Sequence, residues 1–385
     1  MKKTTCIASL MVCLSMGQAG ALAQNIRIDM NKTYPEKTIS LQKVADVKYI
    51  PLETTDEALF NGVVTHLSAE GIAGFNKKEG DILVFDGTGK AIASFNHTGQ
   101  GPNEYNKIYH LDVDWKQKEV YVQDNFRQKI RIYGLDGRHL RTIDLQETMQ
   151  QGDLYNFSYT HLIYYAQPKS KPVTPYEPVT LLAKKDASKV TLPFTKTDDN
   201  LVKATGGPFG DMKMSAKNVN LLCKKGDEVY VNEVTADVIY RVESNHALTP
   251  VVERTPSYQD ASGQDFFLML TGANARYYFF KRQQALLEFQ GNAATDTKST
   301  YVAYDRKEKQ LLNPTFTNED YPSQDIPMSK LLQCAGSANR CYLQLEAFKL
   351  KEALAEGKLK GTLKSIAEKL DEEDNPVLMV VEFKK

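Results

Sequence analysis

Short runs in which apolar and polar residues alternate recur along this chain, each closed by a turn. "GDILVFDGTGKAIASF" begins at Gly80 and "KEVYVQDNFRQKIRIYGLDGRHLRTIDL" at Lys118, and in both the alternation has the period of a β-strand. The turns Asp86-Gly87-Thr88-Gly89 and Leu135-Asp136-Gly137 carry hairpin chemistry, with glycine supplying positive φ where a strand reverses. Matching Asp86 to Asp124 gives a spacing of 38 residues. Looser copies follow: "HLIYYAQ" from His161 leading to "VTLLAKKDASKVTLPF", "DEVYVNEVTADVIYRVESNHALTPVVE" from Asp227, and "STYVAYDRKEKQLLNPTF" from Ser299. A period near 40 with several strands per copy predicts propeller blades. Blades packed radially bury faces and edges that an isolated antiparallel sheet exposes. A β-sandwich with evenly spaced hairpins is the competing architecture, but it requires no repeated phrase.

Near the C-terminus the period changes. "LQLEAFKLKEALAEGKLKGTLKSIAEKL" is rich in helix formers, with apolar residues at Leu350, Leu354, Leu359, Leu363, Ile366 and Leu370. Gly357 and Gly361 divide it in two, and Pro376 ends it before a last strand, "VLMVVEF". The expectation is a helical insertion over residues 346–371 whose amphipathic face covers the protein's own core. The alternative is a partner-docking helix. The strand "VKYIPLE" from Val47 and the terminal "VLMVVEF" are expected to share one blade and so close the ring by backbone hydrogen bonds.

Composition changes the picture in three ways. The 48 basic and 48 acidic side chains cancel, which removes the bulk field a nucleic-acid binder uses. The 20 tyrosines and 16 phenylalanines favour strands, and a hydrophobic content of 42% supports a real core. Lys2 and Lys3, the apolar stretch Cys6 to Met16 and Ala21-Leu22-Ala23 form a secretory signal over residues 1–23, with cleavage expected before Gln24. A lipoprotein signal ending at Cys13 is disfavoured by the bulky Val12 before it. No later stretch approaches the ~20 apolar residues of a spanning helix. Residues 24–45 are expected to be an N-terminal extension and 46–385 the propeller. In an oxidising compartment Cys334 can pair with Cys341, the alternative being that these two and Cys223 are buried free thiols.

In order, "VKYIPLE", "ILVFDGTGKAIASF", "GQGPNEY", "VYVQDNFRQKIRIYGLDG", "DVIYRV" with "LTPVVE", and "NPVLMVVEF" resemble the secreted six-bladed β-propeller proteins of Bacteroidetes. The most specific element is GQGPNEY: Gly99, Gly101, Pro102, Glu104 and Tyr105 fit the family pattern, and Asn103 stands where glycine is common. The resemblance implies six blades, export and a function largely unassigned, with no catalytic residues to carry over.

Within a propeller this stretch must carry the chain from the outer strand "AIASF" to the next inner strand, "IYHLDVDW". Gly99 and Gly101 are expected to relax the backbone and Pro102 to fix φ. Glu104 should accept from amides of the turn, with the Tyr105 ring packed beneath. Loops on rigid scaffolds also concentrate binding residues, so Gln100, Gly101, Asn103, Glu104 and Tyr105 form a candidate ligand site. A P-loop is excluded, because no strand-to-helix context and no Lys-Ser or Lys-Thr pair follows.

The six histidines have neither zincin nor finger spacing, and no GxSxG elbow occurs. Asp112 and Asp114, two apart on one strand, share a face, and near a channel mouth could hold Ca²⁺. One pair supplies too few of the roughly 6–8 oxygens calcium takes, so solvated carboxylates or hairpin caps are the plainer reading. The reading that follows is a monomeric, non-enzymatic, exported propeller, periplasmic or on the cell surface, that binds a glycan, peptide or partner protein. The alternative is a channel-metal-dependent hydrolase or lyase, and fold alone does not decide between them.

Overall fold

A computed structural model describes residues 25–145, 148–167, 175–196, 201–205, 212–215, 221–260, 266–290, 293–294, 298–330 and 340–384. Six sheets stand in a ring as a six-bladed β-propeller. Blade 1 is Val63–Leu67, Gly71–Phe75, Ile82–Asp86 and Ala91–Phe95, and blade 2 is His110–Asp114, Glu119–Asp124, Lys129–Gly134 and His139–Asp144. Blade 3 is Thr148–Asn156, His161–Gln167, Val179–Ala183 and Lys189–Thr191, and blade 4 is Leu222–Lys225, Glu228–Val231, Val238–Val242 and Leu248–Thr255. Blade 5 is built on Phe266–Ala273, Tyr277–Gln284, Ser299–Asp305 and Gln310–Asn318, with Tyr321–Pro327 paired to the last of these. Blade 6 is Arg340–Leu345, Val377–Phe383 and Ala45–Pro51. In blades 1 to 5 the first strand is the innermost, and these first strands pack side by side. The face at which they begin is termed the top.

The two ends of the chain close the ring in one sheet, as the pattern predicts. Val377–Phe383 is the middle strand, paired antiparallel with Ala45–Pro51 on one side and Arg340–Leu345 on the other. Val377, Met379 and Val381 join the cluster shared with blade 5, whereas Leu378 and Val380 join the one shared with blade 1. Every seam of the ring is filled in this manner, by alternate residues of facing blades.

The helical insertion lies between the first two strands of blade 6, as helices Ala347–Ala355 and Gly361–Ala367. Leu350, Leu359, Leu363 and Leu370 are buried in the blade 5–6 cluster, with Leu354 and Ile366 packed against it, so the apolar face covers the protein's own core. Gly357 and Gly361 both have positive φ, the backbone that ends one helix and opens the next. The turn glycines Gly89 and Gly137 likewise have positive φ.

Two features lie outside the repeat. Residues 24–45, read as an extension, supply strands to the ring: Ile26–Asp29 adds in parallel to the outer strand of blade 4, and Glu36–Ser40 to that of blade 5. A small further sheet joins Leu201–Thr205 and Met212–Ser215, between blades 3 and 4, to Leu286–Gln290 and Ala293–Ala294 of blade 5. Cys341 is fully buried and disulfide-bonded, so it is not a free thiol, while Cys334 lies outside the described residues. Cys223 is buried. Among the described residues no helix is long and apolar enough to cross a membrane.

Candidate functional site

The GQGPNEY stretch carries the chain from the outer strand of blade 1 to the inner strand of blade 2, and its polar groups are engaged by the protein itself. Glu104 Oε2 accepts from Gly101 N at 2.6 Å, and Gly99 N donates to Tyr105 O at 3.0 Å. Tyr105 is fully buried; its hydroxyl donates to Gly80 O at 2.7 Å and accepts from His97 N at 2.9 Å, and burial pushes the phenol up to about 12. Blade 2 then grips the outside of the turn. Arg127 donates to the carbonyls of Gly99 and Gly101, both at 3.1 Å, and to Gln100 Oε1 at 2.7 Å. Arg131 donates to Pro102 O at 2.5 Å and Tyr133 to Asn103 O at 2.7 Å. The stretch is thus a clasp between blades 1 and 2, and the Gln100 side chain, exposed on its rim, is held by Arg127.

The reason for the two glycines differs from the expected one. Neither Gly99 nor Gly101 has positive φ; both face the Glu104 carboxylate, which a Cβ on Gly99 would meet at 2.0 Å and one on Gly101 at 3.0 Å. Space for a charged hydrogen bond, and not backbone freedom, requires glycine here. Gly99→Val should therefore displace Glu104 and lose about 1.5–3 kcal/mol, the range for hydrogen bonds to charged groups. In a Glu104→Ala background the same substitution should cost almost nothing further, which chemical denaturation of the four proteins will show.

Asp112 and Asp114 do share a face, turned toward blade 3, but neither is solvated: both are buried. Asp112 Oδ2 accepts from Lys224 Nζ of blade 4 and from Asn156 N of blade 3, each at 2.7 Å, and Oδ1 faces His66 Nδ1 of blade 1 at 3.1 Å. One carboxylate therefore ties four blades together near the axis. Burial alone would raise its pKa, but the Lys224 ammonium and His66 hold it well below the usual carboxylate range. Asp114 is matched by Lys184 at 2.7 Å, and Glu119, beyond it on blade 2, by Arg141 and by the Tyr121 hydroxyl at 2.5 Å. Since a carboxylate only accepts, His66 donates from Nδ1, and its Nε2 is buried without a hydrogen-bond partner.

His110, two residues before Asp112, packs edge-on to Tyr155, and burial presses its imidazole down to about 4. The unfolded chain takes this proton near pH 6.5, so between those values the unfolded state binds more protons and stability falls as the pH falls. Asp112 stays ionised in the folded state across that window, and protonation of its carboxylate in the unfolded chain adds to the same decline only toward the lower end. The melting temperature should decline from pH 6.5 to about 4, and His110→Gln should flatten part of that decline in parallel thermal scans.

Lys224, Lys184 and His66 were not among the residues the sequence pointed to. A signal exists for the lysines: each falls two residues after a buried leucine, Leu222 and Leu182, in phase with an inward side chain.

On the top face a cleft of about 510 Å³ opens between the insertion, the last hairpin of blade 5 and the start of blade 1. Its walls present Tyr321, Gln324, Ser329, Gln344, Glu346 and Lys349 over an apolar floor that includes Leu343 and Leu350. Gln344 Nε2 donates to Glu346 Oε1 at 3.2 Å and to Gly62 O at 3.4 Å, which fixes one wall, while Ser329 and Lys349 are exposed on its rim. None of the polar wall residues stood out in the sequence, because the cleft is assembled from three blades.

A family model described as a domain of unknown function, DUF4934, matches residues 25–382. Among solved structures, a Bacteroides fragilis protein described as exported is similar at TM-score 0.63 and 14% identity, over 94% of this chain and 99% of that one. A DUF4221-family member from Bacteroides vulgatus follows at TM-score 0.51 and 9% identity, over 89% and 98%. None of the curated proteins matches the chain in sequence. At these identities the structural likeness concerns the fold.

Proposed function

The chain belongs to the DUF4934 family, which has no assigned activity, and from that premise we propose that it is an exported, non-enzymatic propeller that binds a glycan or peptide in the top-face cleft. The observation that carries this reading is the cleft itself: about 510 Å³, with an aromatic ring, two amides, a hydroxyl and one charge of each sign converging over an apolar floor. Both ligand classes offer the hydroxyls, amides or charges that such walls recognise. Export agrees with the signal-like first 23 residues and with the description of the Bacteroides fragilis structure. The non-enzymatic reading is supported by the axial carboxylates, since Asp112, Asp114 and Glu119 each spend their charge on a lysine or arginine of the same chain.

The mature protein should retain at least one member of an array of immobilised oligosaccharides and peptides. Lys349→Glu and Ser329→Trp, both at exposed positions, should weaken that retention by roughly tenfold or more, equivalent to about 1.4 kcal/mol. Metal analysis of the same preparation separates the alternative. A stoichiometric, tightly held divalent cation would favour the channel-metal hydrolase or lyase, with Asp112 and Asp114 as the residues to test for Ca²⁺.

A further inference from the structure

Parallel strand addition is already used twice by this chain. Ile26–Asp29 lies along the outer strand of blade 4 and Glu36–Ser40 along that of blade 5, each adding an outer strand to a sheet that would otherwise end in unpaired backbone. In Ile26–Asp29 the burial alternates, with Ile26 and Ile28 inward and Arg27 and Asp29 outward. Among the described residues blades 1, 2 and 3 have no such addition, and their sheets end on Ala91–Phe95, His139–Asp144 and Lys189–Thr191.

These three edges are not protected alike. His139–Asp144 carries Arg141 and Asp144, and Lys189–Thr191 is three residues long and begins with lysine, the usual guards against strand pairing. Ala91–Phe95 reads AIASF, with neither charge nor proline. Phe95 packs toward blade 2 against Tyr133, while Ile92 is 52% exposed and Ser94 is exposed beside it. The first amide, Ala91 N, donates to Glu53 Oε2 at 2.8 Å, so an added strand would pair from Ile92 onward.

We propose that the outer edge of blade 1, residues 91–95, is a docking strand for an extended segment of a partner polypeptide, added in parallel as this chain's own segments are on blades 4 and 5. Main-chain hydrogen bonds would supply affinity, and alternate apolar side chains of the segment would cover Ile92. The segment's chemistry is that of Ile26–Asp29: proline-free, with β-branched residues at every second position. A second copy fits less well, because two-fold pairing of one edge with itself sets the strands antiparallel, whereas both additions that this chain makes are parallel.

The test uses the mature chain and a fluorescent peptide copying residues 25–31, NIRIDMN, followed by anisotropy and by sedimentation of the protein alone. The expected result is saturable binding that Ile92→Lys and Ser94→Pro each weaken by roughly tenfold or more at unchanged melting temperature, since Ser94, opposite Leu83 in the ladder, turns its N–H outward. Because neither substituted residue lines the cleft, array binding should be unaffected by them, so this proposal and the cleft reading fail separately. Absence of saturable binding up to about 1 mM, or binding indifferent to both substitutions, would overturn it. A concentration-dependent dimer abolished by Ile92→Lys would also overturn it, by assigning the edge to a second copy.

Discussion

A chain lacking residues 377–385 will not fold. The strand Val377–Phe383 is the middle of blade 6, so its loss removes both ladders, to Ala45–Pro51 and to Arg340–Leu345, and separates the ends of the ring. It also strips two seams at once, because its alternate side chains belong to the clusters shared with blades 5 and 1. Each lost backbone hydrogen bond is worth about 0.5–1.5 kcal/mol net, and each buried Val, Leu or Met about 1.5–3 kcal/mol. Summed over this strand, the loss exceeds the 5–15 kcal/mol by which a typical domain is stable. Thermal unfolding and limited proteolysis should show no cooperative transition and no resistant core. A folded core with a near-native melting temperature would mean that the ring does not depend on its terminal closure.

Asp112→Ala will be the most damaging single substitution near the axis. It leaves the Lys224 ammonium, whose side chain is 10% exposed, without its counter-charge, and removes the acceptor of Asn156 N and of His66. Breaking one partner of a buried pair costs about 3–5 kcal/mol, chiefly through the charge left behind. If that is the cause, Asp112→Asn combined with Lys224→Met should recover most of the loss, since the amide oxygen still accepts and no charge remains. Urea unfolding of the wild type, the single variant and the double variant decides it. An unchanged midpoint for Asp112→Ala would show that the axial network contributes nothing to stability.

The repeat was legible because blade seams impose a strict alternation, and VLMVVEF shows how far that goes: its two apolar faces matched its two neighbours residue by residue. The helical insertion was legible for the same reason, at a different period. What the sequence could not convey was pairing at a distance. Lys224 stands 112 residues from Asp112, and nothing local distinguishes a lysine that crosses the axis from one that ends a hairpin. The parallel addition of Ile26–Asp29 and Glu36–Ser40 was hidden likewise, as a short alternating strand does not name the edge it joins. The clasp was half legible. Glu104 and Tyr105 behave as their chemistry predicts, but glycine kept for positive φ and glycine kept to admit a carboxylate look identical in a sequence.

The cleft proposed as the binding site was the least legible part, since its residues come from the start of blade 1, the last hairpin of blade 5 and the insertion in blade 6. The most direct measurement is therefore a crystal structure of the mature protein with whichever oligosaccharide or peptide the array retains. The account predicts that ligand between Tyr321, Gln344 and Lys349, with Asp112 still paired to Lys224. A ligand seated instead on the axis, or a metal ion held by Asp112 and Asp114 with Lys224 and Lys184 displaced, would contradict it.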